Sequence, residues 1–117
     1  MYDNNYLCLL SIYDSINKII EYTKDFSSVE GFYNDLKSFD AVMMNFIIIG
    51  EQSFKLDEEF KMQNSEIEWY KIKAFRNIVA HDYFGVDASE VWGIIKKHIP
   101  ELKKRIKELI HKIENYT

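Results

Sequence analysis

Arg76, Asn77, His81 and Tyr83 bring four side chains suited to acid–base and anion chemistry into one short stretch. An imidazole with a reference pKa near ~6.5 gives up or takes a proton near neutrality. A guanidinium can grip a phosphate through parallel N–H donors. On a helix turning about 100° per residue, Asn77 and His81 are i,i+4 neighbours whose side chains touch. Asn77 is then placed to orient His81. Arg76 and Tyr83 return to nearly the same azimuth, with small Ala80 between them, while Ile72, Phe75, Ile78 and Val79 fill an apolar arc. One helix edge thus carries a cation, an amide, an imidazole and a phenol, a set that packing alone does not require. The competing, purely structural reading pairs Arg76 with Asp82 and uses His81 to cap the helix C-terminus, where a protonated imidazole is favourable by ~0.3–1 kcal/mol.

The elements that must hold this edge are helical. Leu9, Ile12, Tyr13, Ile16, Ile19 and Ile20 recur at spacings of three and four, predicting a helix from Asn4 to about Lys24. Ser27, Ser28 and Glu30 open a short helix that Gly31 weakens. A second long helix is expected from about Leu36 to Leu56, with Phe39, Val42, Met43, Phe46, Ile47 and Gly50 on one face. Glycine inside a helix costs ~1 kcal/mol against alanine, so Gly50 implies a packing reason such as close approach of a neighbour. Residues 57–65 read as a polar connection with a helical turn. Ser65 then caps the helix of the four residues, with Glu66 and Glu68 in its first turn and an end near His81 to Gly85. The last segment starts at a cap on Asp87 or Ser89 and runs to about Glu114. Pro100 predicts a kink or break at residues 97–100, because proline removes one helical hydrogen bond and clashes with the preceding turn. The expected fold is all-α: an antiparallel four-helix bundle with a short extra helix and a kinked last helix, residues 1–117 forming one domain.

Composition agrees with a packed helical chain. Apolar residues make up 47% and charged residues 29% of the 117, and four Gly and one Pro leave few breakers. No apolar run is long enough for a membrane span, the first residues lack the basic region of a signal peptide, and the lone Cys8 among leucines reads as a buried thiol. These features point to the cytoplasm. Residues 1–60 carry four Lys and eleven acids, whereas residues 61–117 carry eleven Lys and Arg against eight acids. This asymmetry suits an anionic ligand or an oppositely charged partner, although any single exposed Lys is ordinary.

The order Arg76, four residues, His81, one residue, Tyr83 matches the Arg-x4-His-x-Tyr signature of HEPN ribonucleases, and Asn77 fits the polar position after the arginine. The flanks resemble the HepT family in particular: Ile49-Gly50-Glu51, Trp69 upstream of the motif, and Val91-Trp92 downstream. The resemblance spans essentially the whole chain. It implies a helical homodimer in which the motifs of two protomers face one cleft. It further implies metal-independent RNA cleavage, pairing with a minimal nucleotidyltransferase antitoxin, and silencing by transfer of AMP to Tyr83.

Such a reaction needs a base for the ribose 2′-hydroxyl, an acid for the leaving 5′-oxygen and a cation for the phosphate. One motif supplies one histidine and one arginine, so a shared site is physically reasonable. Arg76 and His81 are the expected catalytic residues, with Asn77 and Tyr83 in support. No cofactor is called for, and His98 and His111 lack the company of a metal site. Glu51 either reaches Arg76 or faces water. Two rivals stand beside the enzyme: a non-catalytic helical module that binds nucleotide or the nucleotidyltransferase, and a plain scaffold bundle.

Overall fold

The computed structural model describes residues 3–115. Among them are seven α-helices: α1 (Asn4–Thr23), α2 (Val29–Asn34), α3 (Leu36–Lys55), α4 (Glu58–Gln63), α5 (Trp69–His81), α6 (Ala88–Lys97) and α7 (Ile99–Asn115), with a 3₁₀ turn at Tyr83–Gly85. The fold is the expected all-α bundle, and α4 gives the polar connection a second short helix.

Several starts are fixed by side chains that take up the orphan N–H groups of a first turn. Tyr6 N–H donates to Asp3 (3.0 Å), Gly31 N–H to Ser28 (3.2 Å), Ser38 N–H to Asp35 (3.1 Å) and Ser89 N–H to Asp87 (2.8 Å). The cap expected at Ser65 does not form. That residue lies in a turn, and α5 starts only at Trp69, with no side-chain cap on Glu68 and no acid in its first turn. The reason is tertiary. Ile67 is buried, its N–H donates to the Asn64 carbonyl (3.3 Å), and the Trp69 indole N–H donates to the same carbonyl (3.2 Å). Burying Ile67 and anchoring Trp69 outweighs one helical turn.

The break expected near Pro100 is present. Helix α6 ends at Lys97 with His98 as its cap, and Pro100 is the second residue of α7, a first-turn position whose missing N–H has no intrahelical partner to lose.

Polar contacts at the helix ends set the directions. Asn4 donates to the Lys55 carbonyl (2.9 Å) and Asn5 to Asp57 (3.2 Å), so the start of α1 meets the end of α3. The Tyr6 hydroxyl donates to Glu114 (2.7 Å), so the same end of α1 meets the end of α7. Both pairs are antiparallel. Leu9, Ile12, Ile16 and Ile19 of α1 are fully excluded from solvent and meet Val42 and Met43 of α3 and Ile106 of α7 in one core, where each such side chain contributes roughly 1.5–3 kcal/mol of burial. Phe32 of α2 closes one end against Phe39 (5.3 Å between ring centres) and Trp92 of α6 (5.6 Å). Cys8 lies within this core, and burial raises its thiol pKa.

Candidate active site

Helix α5 lies along α3, antiparallel to it, and two side-chain contacts define the register. Near one end Glu51 pairs with Arg76; near the other Asp40 accepts a hydrogen bond from the Tyr83 hydroxyl. Gly50 permits this approach. A β-carbon there would overlap Cβ and Cγ of Arg76, which is the packing reason the interrupted apolar run implied.

Arg76 is held on several sides. Its Nη2 donates to Glu51 Oε1, and its Nη1 donates to Asn77 Oδ1 at 2.9 Å. Its guanidinium carbon stands 5.9 Å from the centre of the Phe54 ring, and Lys73 Nζ stands 4.9 Å from the same centre. Each terminal nitrogen carries two N–H bonds, so one on each remains for a ligand after these contacts. Nε is buried without a partner. Glu51 therefore reaches Arg76 rather than facing water, and the alternative Arg76–Asp82 pair does not form. The Asn77 oxygen, expected to orient His81, is given to Arg76 instead, because the neighbouring charged donor offers the stronger bond.

His81 is the last residue of α5 and is exposed. Beyond it the helix cannot continue. Asp82 has φ −145°, its N–H closes the last turn on the Ile78 carbonyl (2.8 Å), and the chain enters the 3₁₀ turn.

This ending corrects the position read for Tyr83. It does not sit on the azimuth of Arg76 but swings toward the start of α3, where its ring packs edge-on against Phe39 (6.2 Å) and Phe84 (5.6 Å). Burial and the Asp40 carboxylate raise the phenol well above its ordinary range, so it stays protonated as a donor. Ile78 also departs from expectation. It was assigned to the apolar arc but is 52% exposed, because α5 has its main neighbour, α3, on one side only. Phe84 is fully exposed, and Met44, which lies on the α3 stripe between Asp40 and Glu51, is 56% exposed.

Sequence reasoning missed Asp40 and Phe54. Asp40 and Glu51 are eleven residues apart, about three helical turns, so a shared stripe was visible. Nothing in the chain order tied that stripe to Arg76 and Tyr83. Phe54 gave no signal, since its contact depends on how closely α5 approaches.

Two cavities flank α5. One of about 280 Å³ faces α6 and α7, is lined by Ile72, Phe75, Ile94 and Leu102, and includes none of the four motif residues. The other, about 270 Å³, lies beside Arg76 between the end of α3, the first turn of α4 and the start of α5.

Comparison with known proteins assigns this architecture. The family described as ribonuclease HepT-like matches residues 12–109. A candidate RNase of Methanocaldococcus jannaschii is 35% identical over 98 residues, 84% of this chain and 89% of that protein. The probable ribonuclease HepT of Thermococcus cleftensis is 36% identical over 101 residues, 86% of this chain and 91% of its own. A candidate RNase of Caldanaerobacter subterraneus is 38% identical over 85 residues, 73% and 76% of the two chains. No solved structure gives a significant match.

Proposed function

Because this chain belongs to the ribonuclease HepT-like family, we propose that it is an RNA endonuclease in which Arg76 and His81 carry the reaction and Asn77 and Tyr83 support it. The ribose 2′-hydroxyl attacks the adjacent phosphorus, and a general base removes its proton. The P–O5′ bond breaks, and a general acid protonates the departing 5′-oxygen, leaving a 2′,3′-cyclic phosphate and a free 5′-hydroxyl. An imidazole can fill either proton-transfer role, and the guanidinium stabilises the charge that builds on the phosphate. These groups need no metal, so cleavage should persist with a chelator present.

The observation that carries this reading is the state of Arg76. It is fixed by Glu51, Asn77 and Phe54, keeps one N–H on each terminal nitrogen, and lies on the same helix as exposed His81. A cation held in place before substrate arrives is the arrangement expected of a phosphate clamp.

Two such edges facing each other would supply both a base and an acid, which a single His81 cannot be at once. We therefore propose a homodimer with a shared cleft. Exposed Met44, Ile78 and Phe84 around the motif support it, since clustered apolar side chains near a polar site favour association. The proposed antitoxin is a minimal nucleotidyltransferase that attaches AMP to Tyr83. The phenol would first have to leave Asp40. The added phosphodiester would then bring negative charge and bulk into the cleft.

Incubation of the pure protein with RNA in a chelator tests the activity; a cyclic-phosphate product from wild type and none from His81→Ala is expected. Unchanged cleavage by His81→Ala would overturn the assignment. Light scattering should give about twice the 14.0 kDa chain mass. Co-expression with a neighbouring nucleotidyltransferase, followed by mass spectrometry, should add AMP to the Tyr83 peptide.

A further inference from the structure

The cavity beside Arg76 belongs to none of the roles assigned above. Phe54, Trp69 and Tyr70 supply its aromatic walls, Lys61 and Lys73 its cations, and Gly50 part of its lining. Phe54 and Tyr70 expose 44% and 68% of their surface. These two exposed rings line one concave site and present π-faces within it. Trp69 is only partly exposed, and its indole N–H is committed to the Asn64 carbonyl (3.2 Å), so it has the ring rather than the N–H to offer. Lys61 is paired with Glu58 (3.0 Å), whereas Lys73 has a cation–π contact with Phe54.

The site is contiguous with the phosphate clamp. Gly50 lines the cavity and lies directly beneath Arg76, and the Phe54 ring that forms one wall also carries the Arg76 guanidinium. We propose that this cavity is a nucleobase subsite: it holds the base of a nucleotide next to the phosphate gripped by Arg76, stacked on Phe54 and Tyr70, with Lys73 beside the backbone. The proposal rests on the ribonuclease reading for its ligand.

Size and chemistry favour a single base. The volume falls just below the ~300–1,000 Å³ of sites that enclose whole drug-sized ligands, which leaves room for one planar ring system. Aromatic walls with flanking cations are the usual means of holding single-stranded nucleic acid, because every base has a π-face and every linkage a negative charge. Stacking of this kind tolerates different bases. The Glu58–Lys61 pair, which presents an acceptor and a donor at the rim, is where a preference among bases would arise.

Trp69 gives a direct optical test. Nucleoside 3′-monophosphates added to the full-length protein should quench its emission, and ribose 5-phosphate, which lacks a base, should not. The quench should vanish in Trp69→Phe and survive in Trp92→Phe, whose ring lies at the far end of the bundle against Phe32. In the His81→Ala background, which leaves RNA uncut, Tyr70→Ala should weaken binding of a labelled single-stranded RNA about 5- to 140-fold, as loss of one stacked base implies. Tyr70→Phe should restore most of it. Equal quenching by ribose phosphate, or RNA affinity unchanged in both Tyr70→Ala and Phe54→Ala, would overturn the subsite. Quenching in a protein that cuts no RNA would keep the subsite and remove the ribonuclease reading. Cleavage without quenching would do the reverse.

Discussion

Helices α1 and α5 both pack antiparallel against α3, yet α1 buries nine residues and α5 buries Val79 alone. The difference lies in the number of neighbours. Helix α1 is enclosed between α3 and α7, so an apolar stripe on either side finds a partner. Helix α5 has α3 along one side and open cavities along the others. A helix packed on one side contributes less to stability, and it leaves surface away from α3 available to a ligand or a second chain. The bundle thus divides its work: α1, α3 and α7 supply most of the fully buried core, and α5 with the turn after it carries the motif at the periphery.

Separate substitutions should expose that division. The largest expected effect is on α5, where His81→Ala and Arg76→Ala should each lower cleavage by about 10²–10⁴-fold, the range for loss of a proton-transfer group or an oxyanion donor. The thermal midpoint of His81→Ala should stay near wild type, because His81 is exposed, while Arg76→Ala should lose a little stability, because its stem packs on Gly50 and its head pairs with Glu51. On α1 the pattern should reverse. Ile16 has no exposed surface, and Ile16→Ala should cost ~2–5 kcal/mol by lost burial plus a cavity. Its remaining folded fraction should cleave RNA normally. Chemical denaturation and a single-turnover cleavage assay on the same preparations check both. Loss of activity from Ile16→Ala in proportion to nothing but folding, beside a folded but inactive His81→Ala, is the required outcome; an unfolded His81→Ala would erase the distinction.

The two regions meet at Gly50, so Gly50→Ala should disturb both by intermediate amounts. Its β-carbon would overlap Arg76, and such overpacking typically costs ~1–3 kcal/mol. The guanidinium should also move off Glu51, so cleavage should fall more than stability does. Denaturant midpoints together with initial rates would show this. A variant as stable and active as wild type would mean that α5 can slide away from α3 without consequence.

What could be read from the chain divides along the same line. The 3.6-residue spacing of Leu9, Ile12, Ile16 and Ile19, the caps at Ser28 and Asp87 and the break before Pro100 are local features, and each appears in the fold as expected. The Gly50 approach was legible because glycine inside a long apolar helix requires a cause. Ser65 and Tyr83 depart from expectation for one shared reason, an ideal helical wheel extended past both ends of α5, whereas Ile78 lies within the helix and is exposed because α3 packs on one side only. Tertiary burial of Ile67 delays the start of that helix, and the turn at Asp82 ends it before Tyr83. Partners drawn from another helix, such as Asp40 and Phe54, depend on the α3–α5 register, which no spacing within either helix encodes.

The smallest effect concerns the turn that follows α5, and its pH dependence has a definite sign. Tyr83 donates to Asp40, and burial together with that carboxylate raises the phenol pKa. The native protein therefore holds this proton more tightly than the unfolded chain, where tyrosine titrates near ~10. Stability from the contact is fully present below about pH 10 and is lost as pH climbs toward the raised native value, because the unfolded state then binds fewer protons than the native one. Tyr83→Phe removes the hydroxyl but keeps the ring against Phe39, so at pH 8 it should cost about 0.5–1.5 kcal/mol, the net worth of a partly exposed hydrogen bond. As pH rises through 10 to 11 the wild type should lose that advantage and the two proteins should converge. The remaining tyrosines titrate alike in both and drop out of the difference. Urea midpoints of the pair at pH 8 and pH 11 measure it. A gap that stays constant or widens at alkaline pH would show that the phenol is not tied to Asp40, and that the turn after α5 is held by its aromatic contacts alone.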